Sequence, residues 1–410
     1  MGVISQVAPA SALAFFTDIM SKGVGWGMNA FEVDFLDFAG LAFPHFLNDT
    51  SSYTAWLQGM NDAALALNLS VQLCMDLPSD ALLSVQMPRL NNARASEDDF
   101  PGADGRWDIS LSSLLYGALG LRPFYDDTWT VQSSPGNPYG PGAQERFVEV
   151  SVLISALSTG GVGISDGLGQ GNASLALLAC GADGTLLQPS RPATPIDATF
   201  AAAGAPAGHV WQAPSFAAGS GAGSGGRPWW VTVLAIDVAL PFALLPGHLT
   251  PALQGPYVAA PWARGSAATA AACADGAPAS ACLANFSAAQ PLPLLTGGEG
   301  SDTSKPHELL SLAPVLANGY ALVGELGKAV RVSVQRFVAV AGDAPGHALP
   351  NLLVTLAGFP APGGGEEAVA VSVLAPGGVM RSVALRLASA APATFVCTGS
   401  GQASSCSVLQ

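Results

Sequence analysis

Basic side chains are scarce in this sequence: 15 Lys and Arg stand among 410 residues, against 29 Asp and Glu, for a formal net charge of −14. Nucleic-acid binding draws its affinity mainly from cations laid on phosphates, so that class is excluded, as is docking on an anionic membrane surface. Charge of either sign makes up only 11% of the chain, well under the roughly 25% of an average soluble protein. Long apolar runs are missing too. A membrane-spanning helix needs about 20 consecutive apolar residues, and the nearest approach, 229–249, is interrupted by Asp237, Pro241 and Pro246. The mean hydropathy of +0.39 comes mostly from alanine. No Cys-x-x-Cys occurs, and the five histidines (His45, His209, His248, His307, His347) form no i,i+4 pair. No metal site and no cofactor are therefore expected. The stretch Gly167-Leu-Gly-Gln-Gly171 lacks the dinucleotide-binding spacing and reads as a turn. Residues 1–22 have no basic n-region and carry Asp18 in their apolar stretch, so no signal peptide is read there.

Half of the residues are hydrophobic, ample for a large core and too apolar for a disordered chain. The 48 glycines and 31 prolines fall short of the roughly 25–30% that marks low-complexity chains. Four acceptor sequons, at Asn48-Asp-Thr50, Asn68-Leu-Ser70, Asn172-Ala-Ser174 and Asn285-Phe-Ser287, point to glycosylation and the secretory pathway. Six cysteines are too few for a disulfide scaffold. Cys273 with Cys282, and Cys397 with Cys406, each close a short Ala/Gly/Ser-rich loop, as extracellular bridges do.

The first half of the chain alternates short apolar runs with helical stretches. Strands are expected at 31–36, 70–75, 91–95, 122–125 and 161–165. Helices are expected at 52–67, 79–85, 109–117, 144–158 and 173–180. That alternation indicates βαβ units and a parallel sheet over residues 1–197. Beyond, the texture changes to short strands separated by Gly/Pro turns, at 230–235, 321–324, 330–340, 352–356, 369–374 and 383–387. Residues 198–410 are therefore expected to form an antiparallel β-sandwich. Within them, 219–226 reads as a flexible Gly/Ser/Ala loop, and 251–299 as a long surface excursion.

Three acidic motifs fall at or just beyond expected strand ends, where parallel α/β architectures gather ligands and catalytic groups. The first is Phe31-Glu-Val-Asp-Phe-Leu-Asp37, in which the period of two puts Glu32 and Asp34 on one face. The second is Arg94-Ala-Ser-Glu-Asp98-Asp99-Phe100, and the third Phe124-Tyr-Asp126-Asp127-Thr-Trp129. Any one alone could be a solvated face or a helix cap. Together, with aromatics nearby and no metal motif, they suit acid/base and nucleophilic work on a glycosidic bond.

The ordered run of Asp34, Arg94-Ala-Ser-Glu-Asp-Asp-Phe100, Ser112-Ser-Leu-Leu-Tyr116, Ser158-Thr-Gly-Gly-Val-Gly-Ile-Ser-Asp-Gly167 and Ala182-Asp-Gly-Thr-Leu-Leu-Gln-Pro-Ser-Arg-Pro192 resembles the glycoside hydrolase clan of α-galactosidases and raffinose synthases. The likeness covers about residues 25–200. It implies part of a (β/α)8 barrel, strands 4–8, followed by a β-sandwich. It further implies retaining chemistry on α-galactosides or related oligosaccharides, with Asp34 as nucleophile and Asp98 as acid/base, Asp99 being the register alternative. Glu32, Arg94, Trp107, Asp126, Asp127 and Trp129 become candidate sugar contacts. The clan's lysine two residues before the nucleophile is here Glu32, which would set two carboxylates side by side and raise one pKa. Barrel strands 1–3 have no counterpart, so the chain is expected to be the C-terminal part of a larger secreted protein, and to be inactive alone if the barrel stays open. A galactosyl transferase of raffinose-synthase type is one alternative, and a non-catalytic carbohydrate-binding remnant another. A third is a serine hydrolase, because Gly163-Ile-Ser165-Asp-Gly167 fits a nucleophile elbow and Asp183 or Asp197 and His209 follow in triad order. Oligomeric state has no sequence signature here.

Overall fold

A computed structural model describes residues 6–98, 108–140, 142–218, 228–262, 273–296, 307–343, 350–360, 362–363, 365–388 and 391–409. The chain divides into two compact units, Met1–Asp98 with Gly105–Asp126, and Asp99–Asp104 with Asp127–Gln410. It mixes helices with parallel and antiparallel sheets, and no described helix is long and apolar enough to cross a membrane.

The first unit is a parallel sheet flanked by helices. Its strands β1 (Ala30–Val33), β2 (Ser70–Leu73), β3 (Leu90–Arg94) and β4 (Arg122–Phe124) lie side by side in chain order, all parallel. The first strand stops earlier than its apolar run suggests. Phe35 takes a left-handed φ of 55°, and Leu36 opens the next helix. The helices are α1 (Ala12–Gly25), α2 (Leu36–Ala42), α3 (Pro44–Asn48), α4 (Thr50–Ala66), α5 (Pro78–Leu83) and α6 (Ser110–Leu119). Asp49 caps α4 by accepting from the Ser51 N–H at 3.0 Å. Trp56, Leu57, Met60, Ala63 and Ala64 then bury one face at helical spacing. Gly59 lets α1 approach, because a Cβ there would sit 2.8 Å from the Ala12 Cβ. Gly120, at φ 82°, ends α6 in the left-handed cap that suits glycine.

The second unit takes the chain from Asp127 onward, well before the change of texture near residue 197. Its helices are α7 (Val148–Ser158) and α8 (Ala173–Ala176). From Val150 to Ser158 every residue of α7 is buried, as expected of a helix apolar all round. Backbone bonds tie this segment to the antiparallel strands: Ala193 N–H donates to the Leu157 carbonyl at 2.9 Å, and Ser190 N–H to Pro214 at 3.1 Å. Lys328 donates to the carbonyls of Leu177 and Cys180, both at 2.7 Å. The strand expected at 161–165 is reduced to one parallel bridge, Ile164 opposite Thr128.

Five strands of the antiparallel part precede residue 262: β5 (Thr194–Pro195), β6 (His209–Ser215), β7 (Trp230–Ile236), β8 (Phe242–Leu244) and β9 (Tyr257–Pro261). Then come β10 (Ala284–Phe286), β11 (Leu292–Leu294), β12 (His307–Pro314) and β13 (Ala321–Gly324). The remainder are β14 (Phe337–Gly342), β15 (Asn351–Leu356), β16 (Glu367–Ala375), β17 (Val379–Leu387), β18 (Ala393–Thr398) and β19 (Ser405–Leu409). A six-stranded sheet runs in the order β10-β9-β12-β7-β6-β5, beside sheets of β11-β8, β13-β16-β17 and β14-β15-β18-β19.

The six-stranded sheet is covered on both faces. Trp230, Val258, Ala260 and Ala313 face a core shared with the β13 and β14 sheets. Val231, Val233, Ala259, Leu310 and Leu312 face a second core closed by Phe242, Leu244, Leu292 and Leu294. This corrects the surface excursion expected at 251–299, which supplies β9, β10 and β11, with Tyr257–Ala260 buried. The strand expected at 330–340 is confined to its end, since 330–336 turns around a buried ion cluster. There Arg336, wholly buried, donates to Glu325 at 3.0 Å and to both oxygens of Glu367 at 2.8 and 2.5 Å. Disulfides join Cys273 to Cys282 and Cys397 to Cys406, the two pairs suggested by spacing. The loop read at 219–226 lies outside the described residues.

Candidate active site

Parallel register decides which residues meet at the carboxyl ends of β1–β4. Val33 pairs with Leu73, Leu73 with Ala93, and Arg94 with Phe124. Asp34 and Cys74, the next residues along, and Asp126, two beyond Phe124, therefore lie with Arg94 at one end of the sheet. Asp34 follows β1 directly, is exposed like Glu32, and accepts from the Phe35 N–H at 2.8 Å. The Cys74 N–H donates to the Val33 carbonyl at 3.0 Å, which brings its thiol beside Asp34. Burial pushes that thiol up, and a hydrogen bond with the Asp34 carboxylate adds to the effect, so the sulfur keeps its proton at neutral pH.

Arg94 is the cation of this end. Its Nη1 donates to Asp98 at 2.5 Å and to Asp126 at 3.3 Å, with the Arg94 side chain 9% exposed and those of Asp98 and Asp126 39% and 25%. Burial disfavours the charge, but Cys74, Asp126 and Asp98 outweigh it and raise the Arg94 pKa above its usual value. Ser96 fixes the turn after β3: its Oγ accepts from the Asp126 N–H at 3.0 Å, and the neighbouring Ala95 N–H donates to Phe124 O at 2.9 Å.

Asp76, two residues beyond Cys74, is a fourth acid at this end that sequence reasoning missed. The Tyr116 hydroxyl of α6 donates to its two oxygens at 3.1 Å each. Burial pushes Asp76 up to about 7; the Tyr116 hydrogen bond opposes this, and the Asp80 charge adds to it. The signal was available in principle, because Asp76 stands just after an apolar strand as Asp34 and Asp126 do. It was hidden by the helix start that follows, where Asp80 caps α5 through the Leu77 N–H at 2.8 Å.

Asp127 and Trp129 belong to the second unit. Asp127 accepts a hydrogen bond from the Ser165 hydroxyl. The neighbouring Asp166 accepts from the Thr130 hydroxyl and from the N–H groups of Thr130 and Val131, at 3.1 and 3.3 Å. Trp129 is 2% exposed and lies 6.4 Å from Tyr139 between ring centroids, so it offers no open face to a sugar, against expectation. The elbow reading of Ser165 also lacks its geometry. A turn separates Ser165 from α8, Thr185 engages Asp183, and the Thr250 hydroxyl donates to Asp197 at 2.6 Å. Trp107 and Asp99 lie outside the described residues. The sequon residues Asn48, Asn68, Asn172 and Asn285 are all exposed, and no cluster of ligands that could hold a metal occurs among the described residues.

A scan against protein-family models finds no match, and a search of curated proteins returns none.

Proposed function

We propose that this protein is a retaining α-glycosidase acting on α-galactosides or related oligosaccharides. The observation that carries the reading is the pairing of Asp98 and Asp126 with Arg94 at the carboxyl ends of consecutive parallel strands, with Asp34 at the same end of the sheet. Strands β1–β4 would be strands 4–7 of a (β/α)8 barrel, whose chemistry gathers at that end. The antiparallel sheets would be the accessory domain that follows it.

In this scheme the Asp34 carboxylate attacks the anomeric carbon while the Asp98 carboxyl protonates the departing oxygen. The glycosyl–Asp34 ester is then released by water, which Asp98 deprotonates. Such a pair works at a separation of about 5–5.5 Å. Arg94 would steer Asp98 and share its charge with Asp126. Glu32, exposed beside Asp34, would accept hydrogen bonds from sugar hydroxyls where the related enzymes donate from a lysine. Exposed sequons and two disulfides support a secreted glycoprotein.

The test is hydrolysis of aryl α-galactosides by the protein and by Asp34→Ala and Asp98→Ala. Asp34→Ala should lose turnover and regain it with azide, giving a β-galactosyl azide. Asp98→Ala should slow poor leaving groups on the order of 10²–10⁴-fold and activated ones less. Full rates in both variants would overturn the assignment. Turnover that appears only with an acceptor sugar would make the protein a transferase. Sugar binding without turnover would make it a carbohydrate-binding module.

A further inference from the structure

Two large apolar residues of the parallel unit hold a left-handed backbone: Phe35, after β1, at φ 55°, and Met75, after β2, at φ 49°. Bulky side chains seldom adopt that conformation, so surrounding contacts must keep it in place. The Asp34 carboxylate does so for Phe35 by accepting its N–H at 2.8 Å. The two turns also hold each other. The Leu36 N–H donates to the Cys74 carbonyl at 3.4 Å, and the Asp37 N–H to the Met75 carbonyl at 2.8 Å. The residue that follows Met75 is Asp76, the half-buried acid of this sheet end.

Each neighbouring element presents a polar group to this acid or to its partner Asp80. From α6, the Tyr116 hydroxyl spans the two Asp76 oxygens at 3.1 Å each. From α5 comes the charge of Asp80, which is wholly buried and accepts from the Leu77 N–H at 2.8 Å. The buried hydroxyl of Tyr53, on α4, lies beside Asp80, and Asp37 of α2 adds a third negative charge there. From β3, Arg94 brings positive charge, but its Nη1 is given to Asp98 and Asp126. None of Asp37, Asp76 and Asp80 has an ion-pair partner among the described residues. Burial raises Asp76 to about 7, opposed by the Tyr116 hydrogen bond and reinforced by Asp80, and burial raises Asp80 as well.

We propose that protonation of Asp76 is a switch on this end of the sheet: the neutral carboxyl keeps the turn from Cys74 to Asp80 closed on Tyr116 and α2, and its ionisation releases that turn into water. An outward swing hydrates the new charge, separates it from Asp80, and lets Met75 leave its left-handed conformation. The Cys74 and Met75 carbonyls move with the turn, so Leu36 and Asp37 lose their acceptors and the adjoining Asp34 turn loosens. The sign follows from the raised pKa. The closed state holds this proton more tightly than the open one, so closure is firmest below about pH 4 and weakens until the pH passes about 7. As regulation of the glycosidase, which rests on the function proposed above, the switch makes the site firm in acidic fluid and slack near neutrality.

The test is amide hydrogen exchange of the full chain between about pH 4 and about pH 9, corrected for the intrinsic pH dependence of exchange. Opening of peptides covering 35–38 and 75–80 should rise about tenfold per pH unit up to about pH 7 and level off above it. Peptides from β16 and β17 should stay flat. Asp76→Asn should lose most of the slope. Tyr116→Phe removes a hydrogen bond that favours the ionised form, so its levelling point should move to higher pH. A slope equal in wild type and Asp76→Asn, or a levelling point that Tyr116→Phe leaves unmoved, would overturn the switch. The readout needs no turnover. An inactive protein that keeps the slope would end the glycosidase reading alone, and an active one without it would end the switch alone.

Discussion

Arg94 and Arg336 each gather two carboxylates, in two units of the same chain, yet their surroundings differ. Arg94 sits at the end of a parallel sheet, with Asp98 and Asp126 partly open to water and further acids nearby. Arg336 is sealed at the base of a turn. Glu325 and Glu367 are themselves buried, the Phe359 N–H donates to Glu367 at 2.7 Å, and the Phe359 ring lies 4.6 Å from the guanidinium. The first cluster keeps its carboxylates within reach of water. The second directs four N–H···O bonds onto the chain, fixing a turn that sequence periodicity alone would extend as a strand. Similar ion pairs thus mark a partly open sheet end in one unit and a buried fastening in the other.

Breaking the fastening should have the largest effect. Arg336→Met leaves two buried carboxylates unbalanced and should destabilise the second unit by about 3–5 kcal/mol, read by urea unfolding. A loss below 1 kcal/mol would show that the cluster is solvated and the contrast false. Asp76→Asn works in the opposite direction. The folded-state pKa, raised from 3.8 to about 7, means the folded chain holds this proton more tightly than the unfolded one. Its stabilising contribution is full below about pH 4 and is lost as pH rises towards 7. The asparagine variant should therefore match wild type near pH 4 and exceed it by a few kcal/mol above pH 7. Parallel stability–pH curves for the two proteins would refute that.

Arg94→Met should lower stability by only about 1 kcal/mol, because its partners can turn to water, while abolishing the proposed glycosidase turnover. A large stability loss with activity intact would reverse the roles given to the two arginines. Smallest of all, Glu366→Gln removes the exposed pair with Arg386, 3.4 Å apart, and should change stability by about 0.5 kcal/mol or less. A clear drop in melting temperature would mean that exposure is a poor guide to charge in this unit.

Local features of the parallel unit were readable. Asp34 and Asp126 follow short strands and Arg94 ends one, and helices α4 and α5 start at an aspartate cap and a proline. The β9 strand was not readable, because Tyr257-Val-Ala-Ala-Pro is buried on both faces and carries no alternation to distinguish it from a loop. Asp76 takes its hydrogen bonds from Tyr116, forty residues on, and burial raises its pKa. Charges perturbed by distant neighbours leave no local pattern, so the acids at strand ends were found and the acid with the raised pKa was missed. Trp129 erred the other way: its neighbours in sequence suggested a sugar platform, and packing buried it.

The link between Cys397 and Cys406 has a mechanical consequence. These residues face each other across β18 and β19, and β19 is the outermost strand of its sheet, with most of its side chains exposed. Such a border strand can peel away and leave β18 as a template for another chain. A covalent rung one pair from the Thr398–Ser405 end of the ladder stops the peeling there, however often the three pairs out to Leu409 open. The sheet therefore has a border that can fray at its ends but cannot be exchanged with a neighbouring molecule.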